Sequence, residues 1–332
     1  MIIDNLDSIT GNVERYPSIV TKPKVVDVLG NKYAVYGYKF KGLGQLYNFL
    51  KSNPNINTDV FGPKEYVSSL DPDCEFYGIP YDEALEQIVN YHDPQYREFL
   101  NISRKVVTRN LNKHSMFKSV NSVAGGIIRP QAIATGDPNI YKTTNIVKQK
   151  NEISINVFLG YNSGTSETQV FHRAIILTNI ISALEKQGYY VKVNAFEVCI
   201  EGSEIIMFKV GIKGTNTGVN YQALYRSLCD VEFFRRLGFR LIECADVKGS
   251  WRGGYGTPAS RSFCSNLLKL KKDDLFFVQP SDMDIYGYDI GDDFESAVYH
   301  LNLQNNIDVE KEKVKVKKGV RDSSLYNKKI AI

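Results

Sequence analysis

The 332-residue chain is poor in the residues that most often carry metal or redox chemistry. Its five cysteines (Cys74, Cys199, Cys229, Cys244, Cys264) are widely spaced, and none belongs to a CxxC pair. An odd, scattered set argues against both a disulfide framework and a zinc site. Cys199 and Cys244 lie in apolar, strand-like contexts, where a free thiol behaves as a small hydrophobe. The four histidines (His92, His114, His172, His300) are equally dispersed and show no ligand spacing. His172 follows Phe171 in a helical stretch and reads as a packed or surface side chain rather than a base. No apolar run approaches the roughly 20 residues of a membrane helix. The start, Met1-Ile2-Ile3-Asp4-Asn5, lacks the basic opening and long apolar core of a signal peptide, so a cytoplasmic protein with no membrane association is expected. There is no P-loop, no G-x-S-x-G elbow and no HExxH.

What is present is an ordinary globular composition, 43% apolar and 12% aromatic, enough for one large or two modest domains. The formal charge of +4 hides a strong segregation. Segment 308–332 holds eight Lys/Arg against four acids, and the rest of the chain has 33 of each sign. Within that neutral body, 55–98 has two basic and ten acidic residues, whereas 103–150 has nine basic and one acidic. Segment 273–295 has eight acids and no base. Such blocks favour either oriented docking with a partner or pairing within the fold.

Four regions follow from patterning. Residues 1–100 form an α+β region, with a strand at Lys32–Lys39 and helical spacing at Gly44–Lys51 and Asp82–Tyr91. Residues 101–150 form a basic connector, in which Gly125-Gly126 beside Arg129 suits either an anion nest or simple turns. Residues 151–306 show clean alternation: a buried strand at Ile153–Leu159, then Ser166-Glu167-Thr168-Gln169 as a capping box. The helix it opens carries Val170, Ala174, Leu177, Ile181 and Leu184 at 3/4 spacing and closes at Gly188. Tyr190–Ile200 and Glu204–Lys213 are then expected as a hairpin turning at Glu201-Gly202-Ser203. Residues 219–237 read as helical, broken near Asp230 and ended by Gly238. Phe239–Ala245 reads as another buried strand, Leu275–Val278 as the last, and Asp292–Leu303 as a final helix. The tail, 307–332, contains the alternation Val314-Lys315-Val316-Lys317 of a charged edge strand or a disordered arm.

Alternating strands and helices build an open sheet covered on both faces, with ligands outside the carboxyl ends of its strands. On this reading loops 161–166, 214–218 and 246–258 leave those ends. Their order and the sequence Tyr161-Asn162-Ser163-Gly164-Thr165 resemble a von Willebrand A-type domain, including relatives like the cobaltochelatase T subunit. The resemblance implies a Rossmann-like, open and mostly parallel sheet with one antiparallel edge hairpin. It also implies a metal-ion-dependent adhesion site on Ser163, Thr165, Thr215 or Thr217, and Asp246. Tyr161 stands where that family has its first carboxylate. A phenol with a pKa of about 10 brings no charge at neutral pH, so the site is degenerate and only weak Mg²⁺ or Mn²⁺ binding is expected. The Gly-Gly…Gly-Asp-Pro connector at 125–138, Leu184-Glu185-x-x-Gly188-Tyr189 and Phe234-Arg235-Arg236-Leu237-Gly238-Phe239 are similar to a bacteriophage-encoded family of unknown function. That resemblance implies a viral origin and an infected host cell's cytoplasm as the place of action, with virion association left open.

Three functions are consistent with these features. The first is a non-enzymatic interaction module gripping a host or phage protein through the carboxyl-edge loops, with Tyr161, Asn162, Trp251, Arg252 and Tyr255 as contacts. The second is nucleic-acid binding through Arg104, Lys105, Arg109, Lys113, Lys118 and Arg129 together with the Lys-rich tail. The third is a divalent-metal-dependent enzyme or a chelatase-like accessory subunit, for which no catalytic residue is assigned.

Overall fold

A computed structural model of the protein describes residues 23–52, 55–62, 67–89, 94–108, 117–122, 127–146, 152–160, 164–215, 219–248, 259–270 and 274–321. Its elements in chain order begin with β1 (Lys24–Val28), β2 (Asn31–Phe40), α1 (Leu43–Lys51), α2 (Tyr81–Glu86) and α3 (Pro94–Thr108). Next come β3 (Phe117–Ser122), β4 (Ile127–Ile128), α4 (Pro130–Thr135), β5 (Tyr141–Ile146) and β6 (Glu152–Phe158). They are followed by α5 (Glu167–Lys186), β7 (Tyr190–Glu201), β8 (Glu204–Lys213) and α6 (Tyr221–Leu228). A π-helical turn at Phe233–Gly238 runs into α7 (Phe239–Glu243), then α8 (Arg261–Leu268), β9 (Leu275–Phe277), α9 (Ile290–His300) and α10 (Val309–Arg321).

Six strands form the main sheet in the order β1-β2-β8-β7-β6-β9. The pairs β2/β8, β7/β6 and β6/β9 are parallel, and β1/β2 and β7/β8 are antiparallel hairpins. The architecture is therefore α/β with a mixed sheet. The β7/β8 hairpin, expected at an edge, instead lies inside the sheet, because β2 adds parallel to β8 and β1 closes that edge. Residues 117–146 supply a separate three-stranded sheet, β3-β5-β4, so the basic segment has strands of its own.

The central crossover is built as its sequence suggests. Ser166 caps α5 by accepting from the Gln169 amide while the Gln169 side chain accepts from the Ser166 amide. Gly188 takes the left-handed φ of 89° and lets Gly188 and Tyr189 donate back to Glu185 and Leu184. Almost every side chain from Val170 to Leu184 is buried, because α5 is packed by α3, α6, α9 and α10 as well as by the sheet.

Two expectations are overturned. Residues 239–245 are not a strand: the chain stays helical from 231 to 243, and Gly238 lies inside it. A short apolar run cannot be told from a buried helical turn by periodicity alone. Gly238 is needed for close approach, since a side chain there would lie 3.1 Å from the Phe208 ring on β8. The tail is neither edge strand nor arm through Arg321. It is α10, with Val316 and Val320 buried and Lys313 and Lys317 paired with Asp292, Glu295 and Asp289 on and before α9. The acidic 273–295 block and the Lys-rich C-terminal segment thus pair within the fold.

The arginines of the 231–243 helical stretch attach the N-terminal region. Arg236 donates to the carbonyls of Ser69, Asp71, Asp73, Gly78 and Ile79 and lies over the Tyr77 ring. Arg235 donates to the Phe76 carbonyl and stacks on its ring at 4.0 Å. Glu243 accepts from the Ser69 amide and hydroxyl. The Phe234–Phe239 motif therefore holds the 69–79 segment in place. Replacing Arg236 with Met leaves buried carbonyls without their donor and is expected to cost about 3 kcal/mol in urea unfolding. It should also open the 69–79 segment to limited proteolysis. In the same assay Gly44→Ala, in the exposed first turn of α1, should gain up to about 0.5 kcal/mol.

Candidate functional site

Strand directions define one edge of the sheet. The carboxyl ends of β6 and β9 lie there with the β7/β8 turn and the start of β2. Gly160 leaves β6 over the buried Glu197 of β7, and a Cβ at Gly160 would lie 2.9 Å from the Glu197 carboxylate. Burial pushes the Glu197 carboxyl well above its ordinary value, against the opposing pull of the Gly160 and Val198 amides and the Arg173 charge. Arg173 is itself buried and donates to the Phe158 carbonyl at 3.1 Å.

Beside this lies a second buried polar cluster. His172 Nδ1 and Asp293 Oδ2 are 2.6 Å apart, and both side chains are buried. The Asp293 carboxylate also accepts from the amides of Tyr286 (2.9 Å) and Gly287 (3.0 Å). Gln169 Nε2 donates to the Ile285 carbonyl at 3.0 Å, and Gly287 sits against Thr168 and Gln169. The loop leaving β9 is thus fixed to the first turns of both α5 and α9.

That loop alternates. Met283, Ile285 and Ile290 enter the core, while Asp284, Tyr286 and Tyr288 face outward. Tyr286 is 55% exposed and Tyr288 87%, and Tyr299 on α9 is 69% exposed. Sequence reasoning passed over these tyrosines. The signal available was Tyr286-Gly287-Tyr288-Asp289, a glycine turn flanked by aromatics directly after a core strand and ahead of an Asp N-cap.

The residues expected to bind metal do not converge. Thr165 precedes α5 at the carboxyl edge. Asp246 is exposed at the same edge but beside Tyr36 of β2, three strand positions from β6, or about 14 Å at ordinary strand spacing. Its segment is pinned there by Asn57, whose side chain donates to the Ala245 and Val247 carbonyls. Thr215 follows the far end of β8, so loop 214–218 starts from the opposite edge of the sheet and not from the carboxyl edge. Ser163 and Thr217 lie outside the described residues. Among the described residues no group of three or more His, Cys, Asp or Glu is placed to hold a metal ion. The described donors therefore do not fit the adhesion-type metal.

Of the expected partner contacts, Tyr161, Asn162, Trp251, Arg252 and Tyr255 all lie outside the described residues, as do Arg109 and Lys113. The Lys118 side chain does as well. Arg104 and Lys105 are exposed on the last turns of α3. Arg129 is turned inward, donating to Asp137 at 3.2 Å and to the Asn139 carbonyl at 2.9 Å. The Gly125-Gly126 nest beside it is outside the described residues.

A family model, Domain of unknown function (DUF7192), matches residues 17–305. The chain belongs to the DUF7192 family. No curated protein and no solved structure matches it. The DUF7192 match runs from before β1 to beyond α9, so it takes in every strand of the main sheet and the tyrosine loop. It stops short of α10, the helix whose lysines pair with α9. No helix among the described residues is long and apolar enough to cross a membrane.

The buried carboxyl of Glu197 gives this edge a pH signature. Its pKa is raised in the native state, so above the ordinary carboxylate range the unfolded chain has lost a proton that the native state retains. Stability tied to this group is complete below an unfolded pKa of about 4.3 and is lost as pH rises through the native value. Urea unfolding between pH 5 and pH 8 should show a shallower fall for Glu197→Gln than for the natural protein.

Proposed function

We propose that this DUF7192 protein is a non-enzymatic interaction module that binds a protein partner at the carboxyl edge of its main sheet. The observation that carries the reading is the loop 284–289. It presents exposed tyrosines on a backbone fixed by the Asp293 carboxylate, the Gln169 side chain and the close contact of Gly287 with α5. Exposed Phe, Tyr and Trp on a loop usually cost entropy to order on binding, and here the backbone is already ordered. Aromatic residues held in this way are typical binding anchors. The order β6, α5 and the β7/β8 hairpin supports a divergent von Willebrand A-type frame within this proposal. A bacteriophage origin, with action in the infected cell, is proposed on the short motifs alone.

A photo-crosslinking side chain at position 288, in the full chain and in cells, should give one discrete protein adduct. Tyr286→Ala should weaken the recovered complex at least about tenfold, as removal of an anchor worth 1.4 kcal/mol or more does. Adducts that form equally from position 25, at the far edge strand β1, would leave the loop with no special role.

A further inference from the structure

The tyrosine loop also has a charge character that narrows the class of partner, and this step rests on the binding role proposed above. Between residues 274 and 295 the chain carries Asp274, Asp282, Asp284, Asp289, Asp292, Asp293 and Glu295 and no Lys or Arg. Most of that charge is already answered within the fold. Lys313 pairs with Asp292 and Glu295, Lys317 with Asp289, and His172 with Asp293. Asp282 and Asp284 form no ion pair with a Lys or Arg among the described residues: Asp282 accepts from Gln279 Nε2 at 3.0 Å, and Asp284 faces His300 as Asp293 faces His172.

Asp284 contacts one of the exposed tyrosines directly and a second through His300. Its Oδ1 accepts from the Tyr286 hydroxyl at 2.8 Å, and its Oδ2 lies 2.9 Å from His300 Nε2. The Tyr299 ring meets the His300 ring edge-on, with centroids 6.1 Å apart. The hydrogen bonds from His300 and Tyr286 hold the Asp284 carboxyl below its ordinary range, so the group is fully ionised at neutral pH. An exposed tyrosine beside a fixed carboxylate matches a cationic side chain, which gains both the charge and the ring face. Arginine suits this geometry better than lysine, because its plane stacks on a ring while its fork donates to a carboxylate. Nucleic acid is disfavoured at the same surface, since phosphates would face Asp282 and Asp284.

We propose that the surface formed by Asp282, Asp284, Tyr286, Tyr288 and Tyr299 binds an extended, arginine-containing segment of a partner protein. The test uses the full chain and a fluorescein-labelled peptide of alternating Arg and Gly, eight residues long, with a Ser-Gly peptide of the same length as control. Anisotropy should show saturable binding of the Arg peptide and none of the control. The double variant Asp282→Asn/Asp284→Asn should weaken it about tenfold, in line with the loss of charge-assisted contacts. Tyr286→Phe, which keeps the ring, should bind more tightly than Tyr286→Ala. Circular dichroism should first show that each variant is folded.

Absence of saturable binding overturns the proposal, and so does binding that the Asp variant leaves unchanged. Equal binding by the Phe and Ala variants also overturns it, because charge alone would then account for the affinity. Failure here and failure of the broader reading are distinguishable. If the peptide does not bind but position 288 still crosslinks one protein, the edge binds a partner of other chemistry. If the peptide binds as expected but crosslinks arise equally from position 25, the cationic surface is real and the binding role is misplaced.

Discussion

One carboxylate holds the candidate surface together. Asp293 is buried, contacts His172 and accepts two backbone amides from the loop before α9. Buried polar oxygens are retained only where they have hydrogen-bond partners, and these have theirs from α5 and the loop together. The consequence is geometric. The loop path, the start of α9 and the second turn of α5 cannot shift independently. The exposed tyrosines inherit that rigidity, although none of them touches the core.

A comparable economy of polar groups operates on the other side of the molecule. The 231–243 helical stretch sends Arg235, Arg236 and Glu243 into the 69–79 segment, where they meet backbone groups as well as the Ser69 hydroxyl and the Phe76 and Tyr77 rings. A segment with little regular structure has many carbonyls that need donors once buried. The planar guanidinium answers five of them from one side chain, which a second apolar contact could not do. The residues that make the sequence resemblance conspicuous at 234–239 are thus explained by folding and do not themselves mark a binding site.

The central crossover was legible because several local signals agreed there. Cap, apolar stripe, terminal glycine and hairpin turn all fall between 153 and 213, and all are realised. Legibility failed where a pattern had two solutions. Phe239-Arg240-Leu241-Ile242-Glu243 suits a strand by composition, but the preceding helix continues through Gly238, whose lack of a side chain leaves room for the Phe208 ring. Val314-Lys315-Val316-Lys317 alternates like a strand, yet Val316 and Val320 lie four apart and form the buried side of a helix. That helix is placed against acids that lie 18 to 28 residues earlier in the chain, information that no local window contains. The same limit hid the candidate site. Asp246 follows an apolar run as a strand-end carboxylate would, but the run is helical and the residue lies beside β2.

Charge segregation takes a different meaning once these pairs are known. Lys313 and Lys317 approach the acidic start of α9 so closely that Gly291 has no room for a side chain beneath Lys317. Exposed ion pairs contribute little singly, about 0–1 kcal/mol each, so they cannot be what anchors α10. Burial of Val316 and Val320 does that, and the lysines decide which surface the helix covers. Asp282 and Asp284 have no lysine partner among the described residues; Asp282 accepts from Gln279 and Asp284 faces His300. Lysines of α10 pair with Asp289, Asp292 and Glu295, whereas Asp282 and Asp284 stay exposed in the segment that also exposes Tyr286 and Tyr288. This coincidence of carboxylates and ring faces, on a backbone that Asp293 keeps from moving, is why a cationic partner fits this edge better than an anionic or purely apolar one.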